Sequence, residues 1–284
     1  MNLNLHLMID FREITKTSKL YNFHSHTQFC DGRAAMEQFV VEAVKQGFTD
    51  YAFTPHSPIP FASPCNMSTS DVPTYIAEYN RLKSTYGGRI NLYLSMEIDY
   101  IGKQWGASSE YFQKLPLDFR LSSVHFIPSF ADSKEYVDID GHFDSFRQKM
   151  GVYFNNDIES VVRSFYSQSI AMIEAGGFDV IGHFDKIGHN AGHFREGIEN
   201  EAWYVALVED TFEAIMDNHL IIEVNTKALK DHRRTFPNKQ FYYLLKRYNA
   251  PLLINSDAHY PELINAGRIE TMETLAENGL YKIV

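Results

Sequence analysis

Cysteine is almost missing from this chain: Cys30 and Cys65 are the two among 284 residues. Two thiols cannot build a disulfide framework, so the sequence suits a reducing compartment. Long apolar runs are missing too. Nothing approaches the ~18 consecutive apolar residues of a membrane helix. The opening stretch Met1–Leu20 carries Asp10 and Glu13 where a signal peptide would be continuously apolar. The expectation is a soluble cytoplasmic protein with no membrane partner. Basic charge is also scarce, 26 Lys and Arg against 36 Asp and Glu, a net charge of -10. That balance lacks the broad basic surface a nucleic-acid backbone requires, so nucleic acid is not an expected partner. A local pocket for one small phosphate remains compatible with it.

What is present is ordinary for a globular protein with a substantial core: 44% hydrophobic and 22% charged residues. The length fits one large α/β domain, and no repeat, low-complexity segment or linker divides it, so residues 1–284 read as a single domain. Short apolar strands alternate with helical patterns. Strands are expected within 21–26, 50–55, 90–98, 119–126, 179–184, 220–225 and 251–255. Helices are expected over 34–46, 74–86, 108–114, 157–174, 199–219, 239–248 and 264–279. The Pro- and Ser-rich stretch 57–73 reads as a rim or lid, 127–156 as an irregular insertion, and 230–238 as a basic loop. Alternation of this kind implies parallel pairing with right-handed crossovers. An open doubly wound sheet and a closed barrel both fit. Chemistry gathered at many strand ends is the mark of a barrel, so the expectation is α/β, a distorted TIM-like barrel of about seven strands.

The strand ends are where the informative residues fall. His24 and His26 are two apart at the end of the first strand, so they share a face. Asp31, His56, Glu97, His125, His183, Asp257 and His259 close the set, each at or just beyond a strand. Imidazole and carboxylate are metal ligands. Nine candidates exceed the four that one tetrahedral zinc needs, so they suit two or three ions, with Glu97 and Asp257 as carboxylate bridges. Packing gives no reason for so many polar strand ends to converge. His6, His142, His189, His193, His219 and His232 end no apolar strand and read as surface or loop residues, with His189 and His193 in a loop after His183. Cys30 reads as an inert thiol and Met96 as core.

The order of these motifs resembles the PHP (polymerase and histidinol phosphatase) superfamily over nearly the whole chain. The segments Phe23–Gly32, Glu174–His183 and Glu223–Thr226 are most similar to histidinol-phosphate phosphatases of the HisK/HisJ type. The resemblance implies a (β/α)7 barrel, a trinuclear site of zinc, iron or manganese, and hydrolysis of L-histidinol phosphate in histidine biosynthesis. By the same analogy His24, His26, Glu97 and Asp257 hold one ion, Glu97, His125 and His183 a second, and Asp31, His56 and His259 a third. Asp31 is where members of the superfamily vary. The expected reaction is in-line attack on phosphorus by a hydroxide shared between two ions, with Asp257 or the His259 region as proton donor to the leaving alkoxide. Arg163, Arg195, Lys227 and Arg233 are candidate phosphate contacts, with Arg163 and Arg195 preferred because a guanidinium fork suits phosphate. The competing readings are another small phosphate ester, a phosphotyrosyl protein, or a non-catalytic metal-binding protein. The quaternary state is open between monomer and homodimer.

Overall fold

The computed structural model describes residues 9–281; His6 lies outside them. Ten short strands run in chain order: β1 (Tyr21–Asn22), β2 (Asp50–Phe53), β3 (Asn91–Leu94), β4 (Glu97–Asp99), β5 (Leu121–Ser123), β6 (Phe126–Pro128), β7 (Tyr136–Asp138), β8 (Val180–Ile181), β9 (Ile221–Asn225) and β10 (Leu252–Asn255). Two parallel sheets carry the architecture, ordered β1-β2-β3 and β10-β9-β8-β5-β4. Every pairing within them is parallel, so all these strands end at the same side of the molecule. That is why strand-end residues far apart in sequence can meet.

The expected continuous barrel ladder is interrupted. The sheets meet at two seams through isolated bridges, Ser25 with Ala258 and His56 with Glu97. At the first seam side-chain amides replace ladder bonds: Phe23 N donates to Asn255 Oδ1 (2.9 Å) and Ser256 N to Asn22 Oδ1 (3.0 Å). At the second, the strand expected over 90–98 breaks at Ser95–Met96 into β3 and β4, which places Glu97 first in a new strand. One apolar cluster, from Phe11 to Leu275, fills the interior and the layer under the helices.

Local signals account for the helices. Ile158–Ala175 begins where the Asp157 side chain accepts from Ser160 N at 3.1 Å, satisfying a free amide of the first turn. It buries Val161, Val162, Phe165, Met172 and Ile173 along one stripe, and it stops at Gly176, whose φ of +66° suits glycine. Two expectations need correction. Residues 127–156 are not irregular: β6 and β7 form an antiparallel pair, and a helix follows over Phe143–Tyr153. His189 and His193 lie on a helix, Ile187–Phe194, not in a loop. No helix among the described residues is long and apolar enough to cross a membrane.

Candidate metal centre

Glu97 is the centre of the strand-end constellation, and it is completely buried. Its two oxygens face different partners. Oε1 lies 2.8 Å from His183 Nε2 and 3.4 Å from His125 Nε2. Oε2 lies 3.0 Å from His56 Nδ1, 3.3 Å from His24 Nε2 and 3.5 Å from His26 Nε2. Asp257 Oδ1 approaches His26 Nε2 at 3.0 Å and His24 Nε2 at 3.8 Å. Asp31 Oδ1 approaches His259 Nε2 at 3.3 Å, His26 Nδ1 at 3.7 Å and His56 Nε2 at 3.8 Å. The nine strand-end residues therefore meet in one place. Their donor atoms fall into overlapping groups: His26, Asp31, His56 and His259; His24, His26 and Glu97; His24, His183 and Asp257; and His56, Glu97 and His125.

These contacts are close without being aligned hydrogen bonds. Both Glu97 oxygens, Asp31 Oδ1 and His56 Nδ1 are buried with no hydrogen-bond partner. Burying an ionised carboxylate without partners costs several kcal/mol, so four orphaned atoms facing common points make a poor protein-only arrangement. A set of oxygen and imidazole lone pairs aimed inward is what divalent cations require. The residues fit the metals.

The outward nitrogens of the ligand histidines are held by a further layer. His24 Nδ1 pairs with Glu223 Oε1 at 2.6 Å, and His125 Nδ1 with Asp99 Oδ1 at 2.7 Å. Glu223 also accepts from His183 N, Asn225 Nδ2 and Asn255 Nδ2, each at 3.0 Å. Such carboxylates fix the tautomer, leaving Nε2 free to ligate. Neither Glu223 nor Asp99 is among the ligand residues expected from sequence. A signal was available in both: each is a carboxylate in a short strand beside β-branched apolar residues, Ile98 for Asp99 and Ile222 and Val224 for Glu223, where a buried charge needs a partner.

Burial opposes charge on Glu97, but His24, His125 and His56 outweigh it and hold the carboxyl well below its ordinary range. Burial likewise opposes charge on Asp257, and Lys227 and His24 keep it ionised. That direction favours the ionised form of Asp257. Its backbone also sits at φ +51°, the left-handed region, a departure of the kind that clusters at functional sites.

Above the ligands lies a cavity of about 430 Å³. Residues 61–66 of the expected rim do line it, and Phe61 packs on Phe126 (5.3 Å between centroids) and Tyr136 (6.2 Å) of the β6–β7 hairpin. Asn66 ties that loop to the ligand layer by donating to Asp99 Oδ2 at 2.8 Å. Three lysines line this space, Lys149, Lys186 and Lys227, and Lys149 Nζ is 2.7 Å from Asp138 Oδ2. Lys227 Nζ is 3.3 Å from Asp257 Oδ1 and 3.3 Å from His259 Nε2. Lys186 Nζ is 2.8 Å from Asp140 Oδ2. Burial would lower the Lys186 ammonium, but Asp140 and Asp257 hold it above its ordinary value.

Arg163 and Arg195 are placed elsewhere. Arg163 pairs with Glu159 at 2.7 Å and Arg195 with Glu201 at 2.8 Å, and both guanidinium groups lie over the Trp203 ring. Neither arginine lines the cavity above the ligands, so the structure does not bring these two expected phosphate contacts to the site. Arg233 caps a short helix on the surface.

A close approach sets the position of Asp31. A Cβ on Gly32 would fall 2.3 Å from Thr27 N and 2.4 Å from the His26 carbonyl carbon. Backbone cannot yield to that. Gly32→Ala is expected to displace the Asp31 loop and lower metal content by about one ion with activity down at least ~10-fold. Elemental analysis of the purified variant checks it; wild-type metal content would dismiss Asp31 as a ligand.

Residues 22–227 match the PHP domain family. The chain belongs to that family. The PHP match ends at Lys227, yet the fold brings Asp257 and His259 from beyond it into the same cluster. The histidinol-phosphatase of Bacillus subtilis is 26% identical over 254 residues, covering 83% of this chain and 92% of the relative. The HisK structure from Listeria monocytogenes superposes with a TM-score of 0.77 at 20% identity, over 88% of this chain and 99% of the other. The histidinol phosphate phosphatase of Lactococcus lactis, solved with zinc, L-histidinol and phosphate, gives a TM-score of 0.67 at 19% identity, over 92% and 94%. These likenesses extend the PHP-type α/β fold over most of the chain.

Proposed function

We infer that this PHP protein is a metal-dependent phosphomonoesterase that hydrolyses L-histidinol phosphate to L-histidinol and phosphate, a step of histidine biosynthesis in the cytosol. The observation that carries the hydrolase reading is the buried, unpartnered Glu97 carboxylate with histidines ranged on each oxygen. The substrate is supported by the relatives, one named histidinol-phosphatase and one holding histidinol and phosphate. The residues suit two or three divalent ions, zinc, iron or manganese. Glu97 would be shared between ions, with His24, His26 and Asp257 holding one, His125 and His183 a second, and Asp31, His56 and His259 a third. The chain acts as a single domain whose two sheets form a seven-position ring, β3 and β4 sharing one position.

When bound, the metals lower the pKa of water towards neutrality and withdraw charge from the phosphate oxygens. The chain's own residues do the rest. The ammonium groups of Lys186 and Lys227 face the cavity and neutralise a phosphate dianion as it enters. Phe61, Phe126 and Tyr136 offer an aromatic wall to the leaving group's ring, and Asp138 an acidic one to its ammonium. The leaving alkoxide draws its proton from the side where the Lys227 ammonium lies against Asp257 and His259, not from the Asp257 carboxylate.

Lys227→Ala and Lys186→Ala are each expected to raise KM for the phosphate ester about 10-fold or more. Arg163→Ala and Arg195→Ala should leave it unchanged. Steady-state kinetics decide between the two pairs. The function itself is tested by assaying a panel of phosphate monoesters, histidinol phosphate among them, with and without chelator, beside elemental analysis. Preference for another ester would move the substrate and keep the chemistry. No metal-dependent turnover of any ester would leave a non-catalytic metal-binding protein.

A further inference from the structure

A second group of histidines stands outside the PHP centre. His189 and His193 are one turn apart on the helix Ile187–Phe194, and His232 ends the short helix Leu229–His232 that follows the Lys227 loop. The three rings meet face to edge, with centroids 4.4 Å apart for His189 and His232, 4.7 Å for His189 and His193, and 6.1 Å for His193 and His232. Imidazoles bound to one ion through bonds of about 2.1 Å have centroids roughly 5 Å apart; the rings are near that spacing, but their donor atoms do not all lie within 4.8 Å of one another, so the rings must turn to share an ion. Two cavities, of about 340 and 450 Å³, open on either side of the trio, and His142 lines the second.

The chemistry favours a cation over an anion. Burial, and then the neighbouring His232 and His193, push the His189 imidazole down to about 4, so it is neutral and its lone pair is available. His193 Nδ1 faces the carbonyl of His189 at 2.7 Å, which leaves Nε2 as its free ring nitrogen. The nearby Arg234 guanidinium is already matched by Glu199 at 2.7 Å and Asp185 at 3.3 Å, while Arg233, which also lines that cavity, has no carboxylate partner among the described residues. The torsion that turns each ring is broad, so the donors can converge at small cost.

We propose that His189, His193 and His232 form a separate, exchangeable transition-metal site that clasps the helix Ile187–Phe194 to the segment carrying Lys227. Three imidazoles, with Asp144 beside them in the second cavity, suit zinc, nickel or copper rather than magnesium or calcium. The clasp also touches the PHP centre mechanically. Phe236 packs between the two, 6.4 Å from the His189 ring and 6.5 Å from that of His183. An ion in the trio would steady the loop that presents Lys227 to the cavity.

Nickel is the probe, added to the metal-loaded protein as purified and to the His193→Asn/His232→Asn double variant, whose replaced residues are both exposed. Wild type is expected to retain about one more equivalent of nickel after gel filtration than the variant. At nickel concentrations near a hundredfold excess over Kd, its Tm should rise by roughly 5 °C where the variant's does not. The variant's turnover of p-nitrophenyl phosphate before nickel is added should match wild type. Equal nickel uptake by both proteins overturns the proposal. So does a Tm rise with inorganic phosphate that the variant loses while nickel gives none, which would mark an anion pocket. Should the double variant fail to fold, His193→Asn alone must weaken nickel at least ~10-fold, and undiminished affinity refutes the site equally.

Discussion

Glu97→Gln is expected to reduce kcat on any phosphate ester by at least ~10³-fold and to strip most of the bound metal. The amide keeps the shape of the side chain but replaces one oxygen by an N–H donor and removes the charge. No position in its surroundings welcomes that change, since imidazole nitrogens face both oxygens within 2.8 to 3.5 Å. The wholly buried carboxylate owes its ionisation to His24, His125 and His56, so losing the charge should also cost the metal-free fold some stability. In the presence of chelator the variant should melt below wild type, and in the presence of metal the gap should widen. Calorimetry with and without metal reads both gaps. A variant that keeps its metal and its activity would take the centre of the site away from Glu97.

Asp257→Asn is expected to lower kcat by about 10² to 10³-fold with the fold intact. The backbone there lies at φ +51°, a conformation asparagine tolerates well. Asp257 Oδ2 accepts from Asn225 Nδ2 at 3.1 Å, a contact the new amide oxygen can keep. What disappears is the charge that faces His26 and Lys227. The size of the loss should be the same for histidinol phosphate and for p-nitrophenyl phosphate. A general acid matters most when the leaving group is a poor one, whereas a metal ligand matters for every ester. Because Lys227 and His24 hold Asp257 ionised, equal loss is the expected result. A defect confined to histidinol phosphate would restore Asp257 as the proton donor.

The corrected residues show where a linear reading stops. Arg163 looked suited to phosphate because it precedes His183 on a helix, but that helix turns it towards Glu159 and the Trp203 ring. Lys186 sits three residues beyond His183 at the start of a helix the sequence did not reveal, and that start aims its ammonium at Asp140 and the cavity. Long flexible cations have several equally good surroundings, and nothing local chooses among them. Asp99 and Glu223 were overlooked as holders of His125 and His24 because their partners lie 26 and 199 residues away.

From the sequence alone came the chemistry and the ends of the strands. Short apolar runs between helical patterns made a parallel α/β fold legible, and histidines and acids placed where those runs stop marked His24, His26, Glu97, His125, His183 and Asp257 as a set. Those signals are local, because hydrophobic period and residue type need no knowledge of distant neighbours. Only the tertiary structure decided that the sheets join by isolated bridges rather than one ladder, that Glu97 turns an oxygen to each group of histidines, and that lysines rather than arginines face the cavity. Those outcomes depend on which side chains compete for the same space and charge once the chain has closed, and a linear order of residues does not contain that competition.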